Sequence, residues 1–212
     1  MTFDLRSTFD IRDARGDAVA QLEAGVQSVS PDTAGHSRRV RCVGLALARE
    51  LGLDAAEVAA IGQAALLHDI GKLTVPDEIL HKPGRLTAEE WVLMRRHSDE
   101  GARMLETTGS FVAAVPAVRH HHERYDGTGY PAGLIGEQIP LAARVVHVAD
   151  ALDSMLTDRV YQPARLPGEA LAELRRESGR QFCPRCIAAL ERIVATGSLA
   201  DLGLTPPVLT AL

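Results

Sequence analysis

The sequence predicts an all-α fold, a helical bundle with one Gly/Pro-rich loop inserted late in the chain. Apolar residues recur at three- and four-residue steps over most of the length, and few stretches alternate with period two. Capping boxes and glycines punctuate these segments at helical lengths. With 212 residues, 46% of them apolar and 24% charged, the composition suits one globular domain. No repeat or composition shift marks a second fold. Residues 26–197 therefore read as the domain, 1–25 as an N-terminal extension too short to fold alone, and 198–212 as a tail.

A first helix is expected near 16–29, with Val19, Leu22 and Val26 on one stripe. A second, near 33–51, carries Val40, Val43 and Leu47 and ends at Gly52. Asp54 and Glu57 form a capping box that opens a third, running through Ile61 and Leu66 to Gly71. Thr87 and Glu90 open a fourth, expected to run unbroken through Trp91, Met94 and Leu105. Residues 110–123 look helical, with Pro116 either kinking or starting the segment. Four glycines and two prolines make 124–140 a loop. Helices at 141–158, 168–178 and 184–196 complete the chain.

Composition excludes several classes of function. A net charge of −5 argues against general nucleic-acid binding, and 4% aromatic residues leave few stacking platforms for single strands. No apolar run is long enough to span a bilayer, and the N-terminus lacks a secretory pattern. Three cysteines do not form a disulfide framework, so a cytoplasmic location is expected.

Eight histidines are many, and their placement is informative. His36 falls on the second helix, His68 and Asp69 at the end of the third, and His97 inside the fourth. His121 and His122 precede the loop, and Asp150 and Asp153 share a face of the long helix. Imidazole nitrogens and carboxylates are donors for iron, manganese, zinc or nickel. Five histidines and two aspartates from successive helices suffice for two ions, as in metal-binding bundles. Adjacent residues point about 100° apart on a helix, so His68 and Asp69 can serve one ion only with strain or at a fraying end. A bridging Asp69 avoids that constraint. Trp91 and Met94 at helical spacing read as core, and His147, one turn before Asp150, as structural.

The segments TAGHSRRV, ALLHDIGKLTVPDEILHKPGRLT, HSDEG, HHERYDGTGYPAGLIGEQIPLAARVVHVADALDSMLTDR and GRQF together resemble an HD-GYP domain, a subgroup of the HD-domain metal-dependent phosphohydrolases. The resemblance covers roughly residues 30–190. It implies a bi- or trinuclear centre, with iron or manganese the expected metals, and hydrolysis of cyclic di-GMP to linear pGpG or GMP. It implies metal ligation by His36, His68, Asp69, His97, His121, His122 and Asp150, with Asp69 the bridge and Asp32 a candidate for a third ion. Lys72, Arg159, Tyr130, Gln162 and Asp153 would be substrate contacts, and Asp69 and Lys72 the catalytic pair. The expected chemistry is in-line attack of a metal-bridging hydroxide on phosphorus, with Lys72 and Arg159 stabilising the developing charge. The GYP loop would also offer a contact for a diguanylate cyclase (GGDEF) domain.

Three positions depart from the pattern. Aspartate at 32 replaces the usual glutamate, and Gln162 stands where many relatives carry a cation. Cys183 replaces the aspartate of F-D-P. With Cys186 it has the spacing of half a zinc site or a redox pair, but the expected reading is a replaced structural aspartate beside an ordinary helix cysteine. These departures keep open another cyclic dinucleotide or nucleotide as substrate, or a non-catalytic receptor for cyclic di-GMP.

Overall fold

A computed structural model describes residues 31–109, 111–158 and 163–197. Nine α-helices lie within them: α1 (Pro31–Glu50), α2 (Ala55–Leu67), α3 (Asp77–Leu80), α4 (Ala88–Arg95), α5 (His97–Thr108), α6 (Val115–His120), α7 (Leu141–Leu156), α8 (Pro167–Arg176) and α9 (Pro184–Thr196). Short 3-10 turns occupy Ile70–Thr74 and Gly136–Gln138. The expected helix at 16–29 and both terminal segments lie outside the described residues. Among the described residues no strand forms, and no helix is long and apolar enough to cross a membrane.

Helix α1 packs on α2, α7 and α9, and α7 also meets α2, α6 and α8. The predicted stripe of α1 is fully buried at Val40, Val43 and Leu47. It meets Ile61 and Ala65 of α2 and Val145, Val148 and Leu152 of α7 in one core. Both capping boxes form. Asp54 accepts from the amides of Ala56 and Glu57, while Glu57 accepts from the Asp54 amide. Thr87 and Glu90 exchange the same pair of bonds, and Lys82 adds an ion pair to Glu90 at 2.6 Å. Each such cap satisfies backbone donors that the first turn leaves open, worth about 1 kcal/mol.

Three elements differ from expectation, and two of the differences come from histidine side chains taking helical carbonyls. Helix α2 stops at Leu67 rather than Gly71: His68 Nδ1 donates to the Ala65 carbonyl at 2.8 Å, and the chain tightens into a 3-10 turn. The expected fourth helix is two, α4 and α5, because His97 Nδ1 takes the Met94 carbonyl at 2.7 Å. The break lets α4, which has no buried residue, lean away from the core, while α5 stays packed on the 3-10 turn and α6. Pro116 starts α6 rather than kinking it, so that helix is short.

Gly71 marks the closest approach. A β-carbon there would lie 1.8 Å from the His97 carbonyl oxygen and 2.5 Å from the Gly101 amide nitrogen. Only a hydrogen at 71 lets the first turn of α5 sit directly on the chain that follows His68 and Asp69.

Candidate metal centre

Five histidines and one aspartate converge from α1, α5 and the ends of α2 and α6. Asp69 shares its surroundings with two donor groups: His97, His121 and His122 on one side, His36 and His68 on the other. Within each group the ligating atoms all lie within 4.8 Å of one another. Asp69 Oδ1 is 3.5 Å from His97 Nε2, and Asp69 Oδ2 is 3.4 Å from His68 Nε2. One carboxylate thus offers an oxygen to each group. This arrangement is possible because Asp69 lies past the end of α2, at φ −98°, ψ 5°, and no longer follows helical geometry relative to His68.

Local hydrogen bonds decide which nitrogen each ring presents. His68, His97 and His121 bond through Nδ1 to the carbonyls of Ala65, Met94 and Val118, each three residues upstream, at 2.7 to 2.8 Å. A carbonyl only accepts, so each Nδ1 carries the proton and each Nε2 carries a lone pair. Those lone pairs face one another. His97 Nε2 lies 3.3 Å from His121 Nε2 and 3.2 Å from His122 Nε2, and His68 Nε2 is buried with no partner. Burial pushes the pKa values of His97, His121 and His122 down, the last to about 3, so the rings are neutral at physiological pH. Converging neutral acceptors without a donor repel, and a buried unpartnered nitrogen is costly. A cation at each group resolves both, so the donor set fits divalent metal.

The far side of the cluster is built differently. His36 Nε2 lies 3.2 Å from Asp150 Oδ1, and His36 Nδ1 donates to Asp153 Oδ2 at 2.6 Å. Arg39 grips the same carboxylate with both Nε (2.5 Å) and Nη2 (3.1 Å). Burial opposes charge on His36, but hydrogen bonds to Asp150 and Asp153 overcome it and raise the pKa to about 9. Asp153, expected among the substrate contacts, has a side chain only 1% exposed and both oxygens committed to His36 and Arg39. It holds His36 with Nε2 towards Asp150, and it also lines the cavity above the cluster. Removing such a partner typically costs about 10- to 100-fold in metal affinity. Asp153→Asn is expected to weaken cation binding by that factor in a calorimetric titration, with the helical circular dichroism retained.

Burial alone would raise the Asp69 carboxyl, but the Lys72 ammonium holds it well below the usual range. Lys72 Nζ donates to Asp69 Oδ2 at 2.6 Å. Asp150 is held low in the same way, its burial outweighed by His36. Above the cluster lies a cavity of about 720 Å³. His36, Asp69, His97, His122 and Asp150 form its polar floor, with Lys72 and Tyr130 beside them. Tyr130 stacks on His122 with ring centroids 4.8 Å apart, and the Arg95 guanidinium lies 5.2 Å from the Tyr130 centroid.

Trp91 and Met94, expected in the core, instead line this cavity with Leu80 and Leu86, and Trp91 is 46% exposed. The α4–α5 break turns that stripe towards the opening. Asp32 lies in the first turn of α1 with its side chain outside the described residues, as are Arg159 and Gln162. Sequence reasoning missed Arg39, Arg95 and Glu123. The Glu123 side chain is fully buried and accepts from the amides of Ala132 (2.7 Å) and Leu134 (3.1 Å), pinning the loop that carries Tyr130. His147 is structural as expected: Nδ1 donates to the Glu123 carbonyl at 2.8 Å, leaving Nε2 to accept from Gln181 at 3.2 Å.

Residues 21–185 match the family model described as HD domain. The chain belongs to the HD domain family. It is 41% identical over 191 residues to the cyclic di-GMP phosphodiesterase response regulator RpfG of Xanthomonas campestris pv. campestris, a match covering 89% of this chain and 50% of the relative. It is 34% identical over 209 residues to the 3'3'-cGAMP-specific phosphodiesterase 2 of Vibrio cholerae, covering 95% of this chain and 40% of that protein. Among solved structures it resembles Bd1817, an HDG"Y"P protein from Bdellovibrio bacteriovorus, with a TM-score of 0.61 at 24% identity over 87% of this chain and 62% of that one. That likeness carries the all-α fold. The chain spans half or less of the length of these curated relatives.

Proposed function

We propose that this HD domain is a metal-dependent phosphodiesterase that hydrolyses cyclic di-GMP to pGpG or GMP. The observation that carries the reading is a pair of donor groups sharing Asp69 beneath a cavity large enough for a nucleotide ligand. The names of the similar proteins support the cyclic dinucleotide as substrate. His97, His121, His122 and Asp69 would hold one ion, and His36, His68, Asp69 and Asp150 a second. Iron and manganese suit these mixed nitrogen and oxygen donors. When bound, two such cations supply Lewis acidity towards a phosphodiester and an acidified water at neutral pH.

The chain's own groups would do the rest. Lys72 spends one of its three donors on Asp69, leaving two to meet a phosphate oxygen in the cavity. Burial raises the Tyr130 phenol and keeps it protonated, so it can donate to the same anion. Arg159 and Gln162 would complete the phosphate contacts. The apolar wall of Leu80, Leu86, Trp91 and Met94 offers a surface for a purine base and keeps bulk water from that side. A diguanylate cyclase (GGDEF) domain is proposed as partner at the GYP loop, where Ile135 is 54% exposed. General nucleic-acid binding is not part of this reading.

The test is chromatography of products from a panel of cyclic di-GMP, 3'3'-cGAMP and nucleotide monoesters, using anaerobically purified protein loaded with ferrous iron or manganese. Turnover of cyclic di-GMP is expected. The second reading, 3'3'-cGAMP as preferred substrate, is favoured by the Vibrio relative and would show as a higher kcat/KM for that dinucleotide. Cleavage of monoesters alone, or tight binding of cyclic di-GMP without turnover, would overturn the reading.

Metal removal supplies a separate check. A ligand at 100 times its Kd stabilises a fold by about 2.7 kcal/mol, which for a domain of this size is a shift of about 5–10 °C. Chelation is expected to lower the midpoint of thermal unfolding by that amount, and re-addition of manganese to restore it.

A further inference from the structure

The Cys183/Cys186 pair lies apart from the metal centre, and its geometry favours more than a replaced aspartate. Cys183 is the N-cap of α9, and Cys186 lies in the first turn, with its amide bonded to the Cys183 carbonyl at 3.0 Å. Both thiols are free, and both residues are buried. Arg144 of α7 reaches them from the opposite side: its side chain is only 9% exposed, and Nη1 donates to Cys183 Sγ at 3.4 Å. Its other charged contact is Glu137 at 3.6 Å, a residue 77% exposed, and its Nε has no partner at all. A buried guanidinium so thinly compensated needs an anion beside it. Hydrogen bonding from Cys186 together with Arg144 lowers the Cys183 thiol to about 5, against the opposing effect of burial. Cys186, beside that anion and desolvated, is pushed strongly up.

We propose that Cys183 and Cys186 form a redox-active dithiol, a site of reversible oxidation by low-molecular-weight disulfides. A thiolate at a helix N-terminus beside a cation, with a second cysteine one turn on, has the arrangement of attacking and resolving thiols. The Cys183 thiolate attacks one sulfur of the oxidant disulfide, forming a mixed disulfide and expelling one thiolate. The charge that raised Cys186 is then gone, so Cys186 gives its proton to the expelled thiolate and attacks the Cys183 sulfur. A second thiolate leaves. The two cysteines have lost two electrons, and one disulfide has become two thiols. The cost is the loss of Arg144's anion, which leaves the guanidinium only Glu137 at 3.6 Å.

The experiment uses the full chain with exposed Cys42 changed to serine, so that only the pair remains. The folded protein is titrated with oxidised glutathione, quenched with an alkylating agent and digested with trypsin. Arg185 lies between the two cysteines, so an internal disulfide links peptides 181–185 and 186–192. The expected result is that this linked species forms, lacks two alkyl groups, and reverts fully with dithiothreitol. Cys183→Asp, which keeps an anion for Arg144, is expected to fold with an unchanged unfolding midpoint and to form no link. Persistence of two alkylatable thiols in the oxidant, a stable glutathione adduct on Cys183 without the link, or linkage only after denaturation would each overturn the proposal.

Discussion

Replacing Asp69 with alanine is expected to remove cation binding at both donor groups and to lower kcat/KM for cyclic di-GMP by more than about 100-fold, because even residues that merely support metal ligands cost about 10- to 100-fold. Asp69 is the one residue common to the two groups, with one oxygen 3.5 Å from His97 Nε2 and the other 3.4 Å from His68 Nε2. Its loss takes a ligand from each side and also frees Lys72, which is 28% exposed and can turn to solvent. The fold should persist: Asp69 lies past the end of α2 and caps no helix with its side chain. Metal analysis, turnover and far-ultraviolet circular dichroism on one preparation check all three points. Full turnover with bound metal would show that Asp69 is not shared between ions.

Gly71→Ala carries the second large effect, on stability. Its added methyl would sit 1.8 Å from the His97 oxygen and 2.5 Å from the Gly101 nitrogen, both backbone atoms that no rotamer change can move. The α5 start must back away, at a cost of about 3 kcal/mol, the upper end for overpacking. In a domain of this size that lowers the unfolding midpoint by about 6–12 °C. Because His97 opens α5, the shift also moves a metal-facing nitrogen, so cation affinity should fall with it. Gly52→Ala is the control: Gly52 has φ +72°, but nothing lies within 4 Å of its added carbon. Its cost should stay near the conformational penalty of about 1 kcal/mol. Equal midpoints for the two variants would refute the steric account.

How much of this was legible in the residues differs from element to element. The stripe of Val40, Val43 and Leu47 announced a buried helix because helical period and burial coincide there. The capping boxes at Asp54 and Thr87 were legible because both partners lie three residues apart in the chain. The α4–α5 break was not legible. It depends on His97 capturing the Met94 carbonyl, and a histidine inside a periodic run carries no mark of where its ring will turn. Trp91 and Met94 were misplaced for the same reason.

The sequence by itself determined the all-α class, the helices that bury their stripes, and the set of metal-type donors, since these follow from local spacing and from donor chemistry. Tertiary structure alone decided that Asp69 faces both donor groups, that Asp153 serves His36 and Arg39, and that Glu123 pins the Tyr130 loop from beneath. It also decided that Arg144 would find Cys183 across 39 residues of chain. Those pairings join groups far apart in sequence, and their energies depend on distance and burial, which no local pattern encodes.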